Sequence, residues 1–160
     1  MIYSTYNNLL ELFIHRYELE NPNTVFLQSL KDKNLKFTWK QTFDAIQKFS
    51  SYLDNYISYN DRCLLISENR PEWLIADMSI MLSKGITVPT YTTYTHRDYE
   101  FLINDSKPSI IIISNNVQLK KIKYLVKKYP FIKKIISFLF FQDWKFLTKV
   151  IMILNYIVNL

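Results

Sequence analysis

At 160 residues and 19.3 kDa the chain has the length of one ordinary domain, and a hydrophobic share of 49% supplies a core and excludes global disorder. The net charge of +6 is local: Ser106 to Gln142 holds eight lysines and no acid, leaving 12 basic against 14 acidic residues elsewhere. Such a patch suits an anionic membrane, nucleic acid or a phosphorylated ligand. Cys63 is the only cysteine, which excludes an intrachain disulfide or a cysteine-built zinc site and points to a reducing compartment.

The first segment, MIYSTYNNLLELFIHRYELE, has no basic leader and carries Glu11 early in its apolar part, so no signal peptide is expected. Tyr6–Tyr17 reads as an amphipathic helix. Val25–Gln28 and Leu35–Thr38 read as a hairpin around the polar turn Lys31–Asn34. Thr38 with Gln41 makes a capping box, followed at helical spacing by Trp39, Phe43, Ile46, Phe49, Leu53 and Tyr56. Then come four β-rich runs, Arg62–Ser67, Ile86–Thr90, Ser109–Ser114 and Lys134–Phe138. Their centres lie about 23 or 24 residues apart, the length of a strand, a helix and two loops. SIIIIS is apolar without alternation, as for a strand covered on both faces.

The gaps between the runs read as helices. Pro71 suits a first turn and Glu72 the positive end of the dipole, before Trp73, Ile75, Ala76, Met78, Ile80 and Leu82. Thr95 with Asp98 makes a second capping box, opening a helix to about Asn104. Asn115 or Asn116 caps Val117 to about Lys128, and Pro130 stops it. Gly85, the only glycine, follows the 71–82 helix and precedes a strand. This predicts a left-handed glycine just past the helix end, and Pro89 falls where a missing N–H costs little. The expected fold is α/β: a mostly parallel sheet with helices on both faces, preceded by a helix and a hairpin.

Catalytic chemistry is sparse. A phosphate cradle needs several glycines, and one cannot build it. His15 and His96 have no second histidine close in sequence and read as surface or half-buried residues rather than ligands. Cys63 falls inside an expected buried strand, where a thiol behaves as a small hydrophobe. Glu68 and Glu72, four apart at a loop and helix start, read as capping and solvated carboxylates. The lysines read as the solvated face of the 117–128 helix, with anion binding as the lesser reading.

Four passages carry a resemblance. They are LKFTWKQTFDAIQKFSSYL, DRCLLISENRPEWLIADMSIML, SKGITVPTYTTYT and YEFLINDSKPSIIIISN. In their order and spacing they resemble the N-terminal part of the AMP-forming acyl-CoA synthetases, the adenylate-forming ligase superfamily, from Asn8 to about Phe138. Asn69-Arg70-Pro71-Glu72-Trp73 and Val88-Pro89-Thr90-Tyr91-Thr92-Thr93 are most similar to the long-chain fatty acid–CoA ligases.

The resemblance implies a partial N-terminal subdomain of that fold over residues 1–138, followed by a divergent apolar tail over 139–160. It implies fatty acid, ATP and CoA as substrates, with magnesium on the phosphates, and no nucleic-acid partner. The family's phosphate loop and C-terminal lid are not matched here. No residue is therefore assigned a catalytic, cofactor-binding or metal-binding role, and the chain alone is expected to be inactive. The tail carries Trp144, Phe146, Leu147, Val150, Ile151, Ile153 and Leu154 at roughly helical spacing, and reads as a poorly integrated helix. Its charge-free run, Val150 to Leu160, is short of the ~20 residues a spanning helix needs. Truncation of a longer ligase, by an early stop or a frameshift, is the favoured origin, with a split-enzyme piece and a real C-terminal helix as the other readings. The alternative function is a non-enzymatic module that meets a partner chain or an anionic membrane through the lysines and tail. The expected location is cytoplasmic, with membrane contact under that alternative.

Overall fold

The computed structural model describes residues 6–138, so the expected helix at Trp144–Leu160 lies outside the described residues. Two compact units are present. Residues 6–61 with 69–87 form one, and residues 62–68 with 88–138 form the other.

The first unit contains α1 (Leu9–Leu19), β1 (Val25–Gln28), β2 (Lys36–Thr38), α2 (Trp39–Leu53) and α3 (Pro71–Leu82). Asn8, not a residue near Tyr6, starts α1: its side chain accepts the Glu11 N–H at 2.8 Å. β1 and β2 pair antiparallel as the expected hairpin. Both halves of the Thr38–Gln41 capping box form, at 3.1 and 2.9 Å. Aromatic rings dock α1 onto the hairpin and α2. Phe26 stacks on Trp39 at 3.8 Å, Phe13 (buried) leans on both at 5.8 Å, and Tyr17 stacks on Phe43 at 4.2 Å.

Between α2 and α3 the contact is a seam of buried hydroxyls among small apolar groups. Ser50 and Ser83 lie Oγ to Oγ at 2.9 Å, and the Ser83 hydroxyl also reaches the Ser50 carbonyl at 3.0 Å. The Ser79 hydroxyl sits between the Ile75 carbonyl of its own helix and the Ile46 carbonyl of α2, at 2.6 and 3.1 Å. Ala45 and Ala76 beside them are fully buried.

The end of α3 corrects the expectation for Gly85. The helix closes in a Schellman motif: the Gly85 N–H donates to the Ile80 carbonyl at 2.9 Å, and the Lys84 N–H to the Met81 carbonyl at 3.0 Å. The left-handed residue of the motif is Lys84, at φ 61°, and no glycine has a positive φ. Gly85 is needed for room instead. A Cβ there would meet Ile80 Cγ2 at 3.0 Å, Ile57 Cγ2 at 3.2 Å and the Asp61 carbonyl oxygen at 3.3 Å.

The second unit is built on a four-stranded sheet of order β4-β3-β5-β6, with β3 (Arg62–Ile66), β4 (Ile86–Thr90), β5 (Ile110–Ile113) and β6 (Lys134–Ser137); β4 enters this unit at Val88. β3 pairs parallel with β5 in register Cys63↔Ile110 to Ile66↔Ile113, and β5 parallel with β6. Two helices, α4 (His96–Ser106) and α5 (Asn116–Lys128), join Leu64, Ile66, Ile111 and Ile113 through Tyr99, Ile103, Ile122 and Leu125. The alternate residues Cys63, Leu65, Ile110 and Ile112 are also fully buried, so the central strands are covered on both faces as expected. Pro89 stands inside β4, at an edge of the sheet among the described residues, where its missing N–H is cheap. The Thr95–Asp98 capping box forms and holds the Asp98 carboxyl below the ordinary aspartate value through the Thr95 hydroxyl and N–H. No helix among the described residues is long and apolar enough to cross a membrane.

Candidate functional site

Sheet topology points to one place. β3 continues by way of α3 to β4 on one side of it, whereas β5 continues by way of α5 to β6 on the other. Chain connections therefore diverge at the carboxyl ends of β3 and β5, the position at which open α/β sheets receive ligands. Ser67, Glu68, Ser114 and Asn115 stand there.

Asn115 does three jobs with one amide. Its Oδ1 accepts the Val117 and Gln118 N–H groups at 2.9 and 3.2 Å, capping α5. Its Nδ2 donates to Ser114 Oγ at 3.0 Å and to Glu68 Oε1 at 3.4 Å, which spans the gap between the two strand ends. Replacing Asn115 with alanine removes the cap and the Glu68 contact together. The expected loss is about 1–2 kcal/mol in urea unfolding, with Asn115→Asp recovering the cap but setting a carboxylate against Glu68.

The loop after β4, Tyr91–Thr95, forms the adjoining rim and is tied down from α4 and α5. Lys121 Nζ donates to the carbonyls of Thr92 and Tyr94 at 2.6 and 3.0 Å, 5.9 Å from the centre of the Tyr99 ring. The fully buried Tyr99 places its hydroxyl 2.8 Å from the Tyr91 carbonyl and 3.2 Å from Gln118 Oε1. Burial first, and then the Glu68 carboxylate, push this phenol up to about 12. Tyr99 is therefore a fixed neutral group at neutral pH. The rim offers one carboxylate, amides and hydroxyls, a set that binds and orients polar groups.

The residues singled out in the sequence end up apart. Cys63 is buried in β3 as an inert small side chain, as expected. His15 lies against the Tyr6 ring at 5.4 Å, and His96 against the Tyr124 ring at 6.0 Å. Glu72 corrects its reading as a solvated carboxylate. It is 5% exposed and held bidentate by Arg70, at 2.8 and 2.6 Å. The lysines divide into distinct roles. Lys121 is a loop clamp, Lys128 pairs with Glu100, and Lys134 is buried in β6. Lys120, Lys123 and Lys127 are exposed on α5. Among the described residues no group of three His, Cys, Asp or Glu is placed to hold a metal ion. Sequence reasoning found Asn115 only as a cap. Its bond to Glu68, 47 residues earlier, needs the strand order before it can be seen.

Comparison with known proteins agrees with this architecture. The long-chain-fatty-acid–CoA ligase ACSBG2 of Gallus gallus is 26% identical over 106 residues, covering 65% of this chain and 14% of the relative. The long chain acyl-CoA synthetase 4 of Arabidopsis thaliana is 29% identical over 107 residues, covering 63% and 15%. The chain thus spans about one seventh of the length of these relatives. Among solved structures, the anthranilate CoA ligase AuaEII in complex with anthranoyl-AMP superposes with a TM-score of 0.74 at 16% identity, over 82% of this chain and 25% of that one. ATP-bound MatB from Rhodopseudomonas palustris gives 0.67 at 17% identity, over 80% and 25%. The family model described as AMP-binding enzyme matches residues 15–147, which take in both units described above. On that match, which spans most of its length, this chain belongs to the AMP-binding enzyme family.

Proposed function

We propose that this chain is the N-terminal scaffold of a long-chain fatty acid–CoA ligase and carries no turnover by itself. In the reaction meant, a fatty-acid carboxylate oxygen attacks the α-phosphorus of ATP and pyrophosphate leaves. The CoA thiol then attacks the acyl carbon and AMP leaves. The observation that carries the reading is the family match over residues 15–147, joined to the names of the curated relatives.

Magnesium and the triphosphate find no fitting donor set among the described residues: no carboxylate cluster is present, and the single glycine is committed to the end of α3. No step is therefore assigned to a residue of this chain. Its part is to hold the carboxyl ends of β3 and β5, with Glu68 and Asn115 joined across them, as a preformed rim for the rest of a ligase. Incubation with ATP, magnesium, palmitate and CoA should release no AMP above a blank. Clear AMP release would overturn the reading. Reading the nucleotide sequence beyond the Leu160 codon tests the same idea independently, since a glycine-rich phosphate-loop motif there in any frame is expected.

A further inference from the structure

We infer that the outward surface formed by α4 and α5 docks on an anionic phospholipid bilayer. On α5 the buried residues are Gln118, Ile122 and Leu125. Lys120, Lys123 and Lys127, at i, i+3 and i+7, are exposed on the opposite side. On α4 the buried residues are Tyr99, Ile103 and Ser106, and Arg97 and Phe101, at i and i+4, are exposed. Contact of the His96 and Tyr124 rings, and the pairing of Lys128 with Glu100, set these helices side by side. The two outward faces therefore form one surface.

Its chemistry is uneven in an informative way. Arg97, Lys120, Lys123 and Lys127 have no ion-pair partner among the described residues. The nearby acids are largely committed, Asp98 to its cap and Glu100 to Lys128, leaving Asp105. Among the cations stand large apolar side chains in water: Phe101 is 70% exposed, Val117 61% and Tyr124 46%. Solvated lysines alone would need no such neighbours. Basic side chains mixed with aromatic and aliphatic ones are what an anionic lipid interface takes, the cations meeting headgroups and the apolar groups reaching the acyl boundary. A single-stranded nucleic acid also pairs cations with rings, but it is held in a groove that tracks its backbone. Here the groove between the helices, about 610 Å³ and lined by Arg97, Lys120 and Tyr124, is lined by the Glu100 carboxylate as well. The inference stands apart from the ligase reading, because vesicle binding requires no turnover.

Co-sedimentation of the whole chain with phosphatidylcholine vesicles, with and without phosphatidylserine, is the test. Binding is expected only with phosphatidylserine and should weaken as salt rises. Changing Lys120, Lys123 and Lys127 together to serine should weaken it roughly a hundredfold. Changing the exposed Lys31, Lys33 and Lys36 to serine gives the same net charge and should leave it within about tenfold of the unaltered chain. Phe101→Ser, at an exposed site that the fold does not use, should weaken binding without altering the salt dependence. Four results would each overturn the inference: equal binding to neutral vesicles, equal losses from the two lysine triples, no effect of Phe101→Ser, or tighter binding of a single-stranded RNA than of the anionic vesicles at the same salt.

Discussion

Gly85→Val should lower stability by about 1–3 kcal/mol, a fall of roughly 1 M in the urea midpoint. The cause is lack of space. Even a Cβ at residue 85 comes within 3.0 Å of Ile80 Cγ2 and 3.3 Å of the Asp61 carbonyl oxygen. Ile80 is fully buried and Ile57 is 8% exposed, so neither methyl has open volume to move into. Valine then adds two methyl groups to the same crowded point. Lys84→Gly separates this cause from a conformational one. Lys84 holds the left-handed angle, so glycine there relieves strain and should leave the midpoint unchanged or raise it by up to about 1 kcal/mol in stability. If Gly85→Val were harmless and Lys84→Gly harmful, the assignment of room to one residue and rotation to the other would be reversed.

Arg70→Ala should cost roughly 2–3 kcal/mol, measured by the same urea titration. Glu72 is almost wholly buried at the first turn of α3, and Arg70 supplies two hydrogen bonds to its carboxylate. Removing the guanidinium leaves the carboxylate desolvated with less than its complement of donors, the costly way to break an ion pair. Arg70 keeps 28% of its side chain exposed, which places the cost below that of a fully buried pair. Arg70→Ala/Glu72→Gln should recover much of the loss, since the buried charge is then gone. A double variant as unstable as the single one would mean that Arg70 acts through its other contacts.

What could be read in advance follows the range of the interaction. Both capping boxes are written within four residues, Thr38 to Gln41 and Thr95 to Asp98, and both form. Ile110–Ile113 is legible because a covered parallel strand is apolar on both faces, whereas β4, half-exposed at an edge, is legible from its β-branched residues and the regular spacing of the runs. The ends differ by a residue or so, because β3 stops at Ile66 and β6 at Ser137. The sequence marks the elbow at Gly85, but the cause is crowding and not a left-handed angle. A helix stop is a local signal, but the crowding around Gly85 also includes the Ile57 methyl and the Asp61 carbonyl, 28 and 24 residues earlier. The burial of Glu72 is not legible locally, because burial of a first-turn carboxylate depends on what covers the helix. Glu68 and Asn115 are polar residues in two separate loops until the strand order sets them side by side.

The serine seam between α2 and α3 has a consequence for uniqueness. Apolar helix faces tolerate small slides, because one methyl replaces another at little cost. Hydroxyls do not: a shift of one residue would carry Ser83 away from Ser50 and strand both buried hydroxyls, at about 1–3 kcal/mol each, while Ser79 would lose the Ile46 carbonyl and keep that of Ile75 in its own helix. The seam works as a notch that favours one register of the two helices, so the specificity of this pairing resides in the Ser50–Ser83 pair more than in the amount of surface covered.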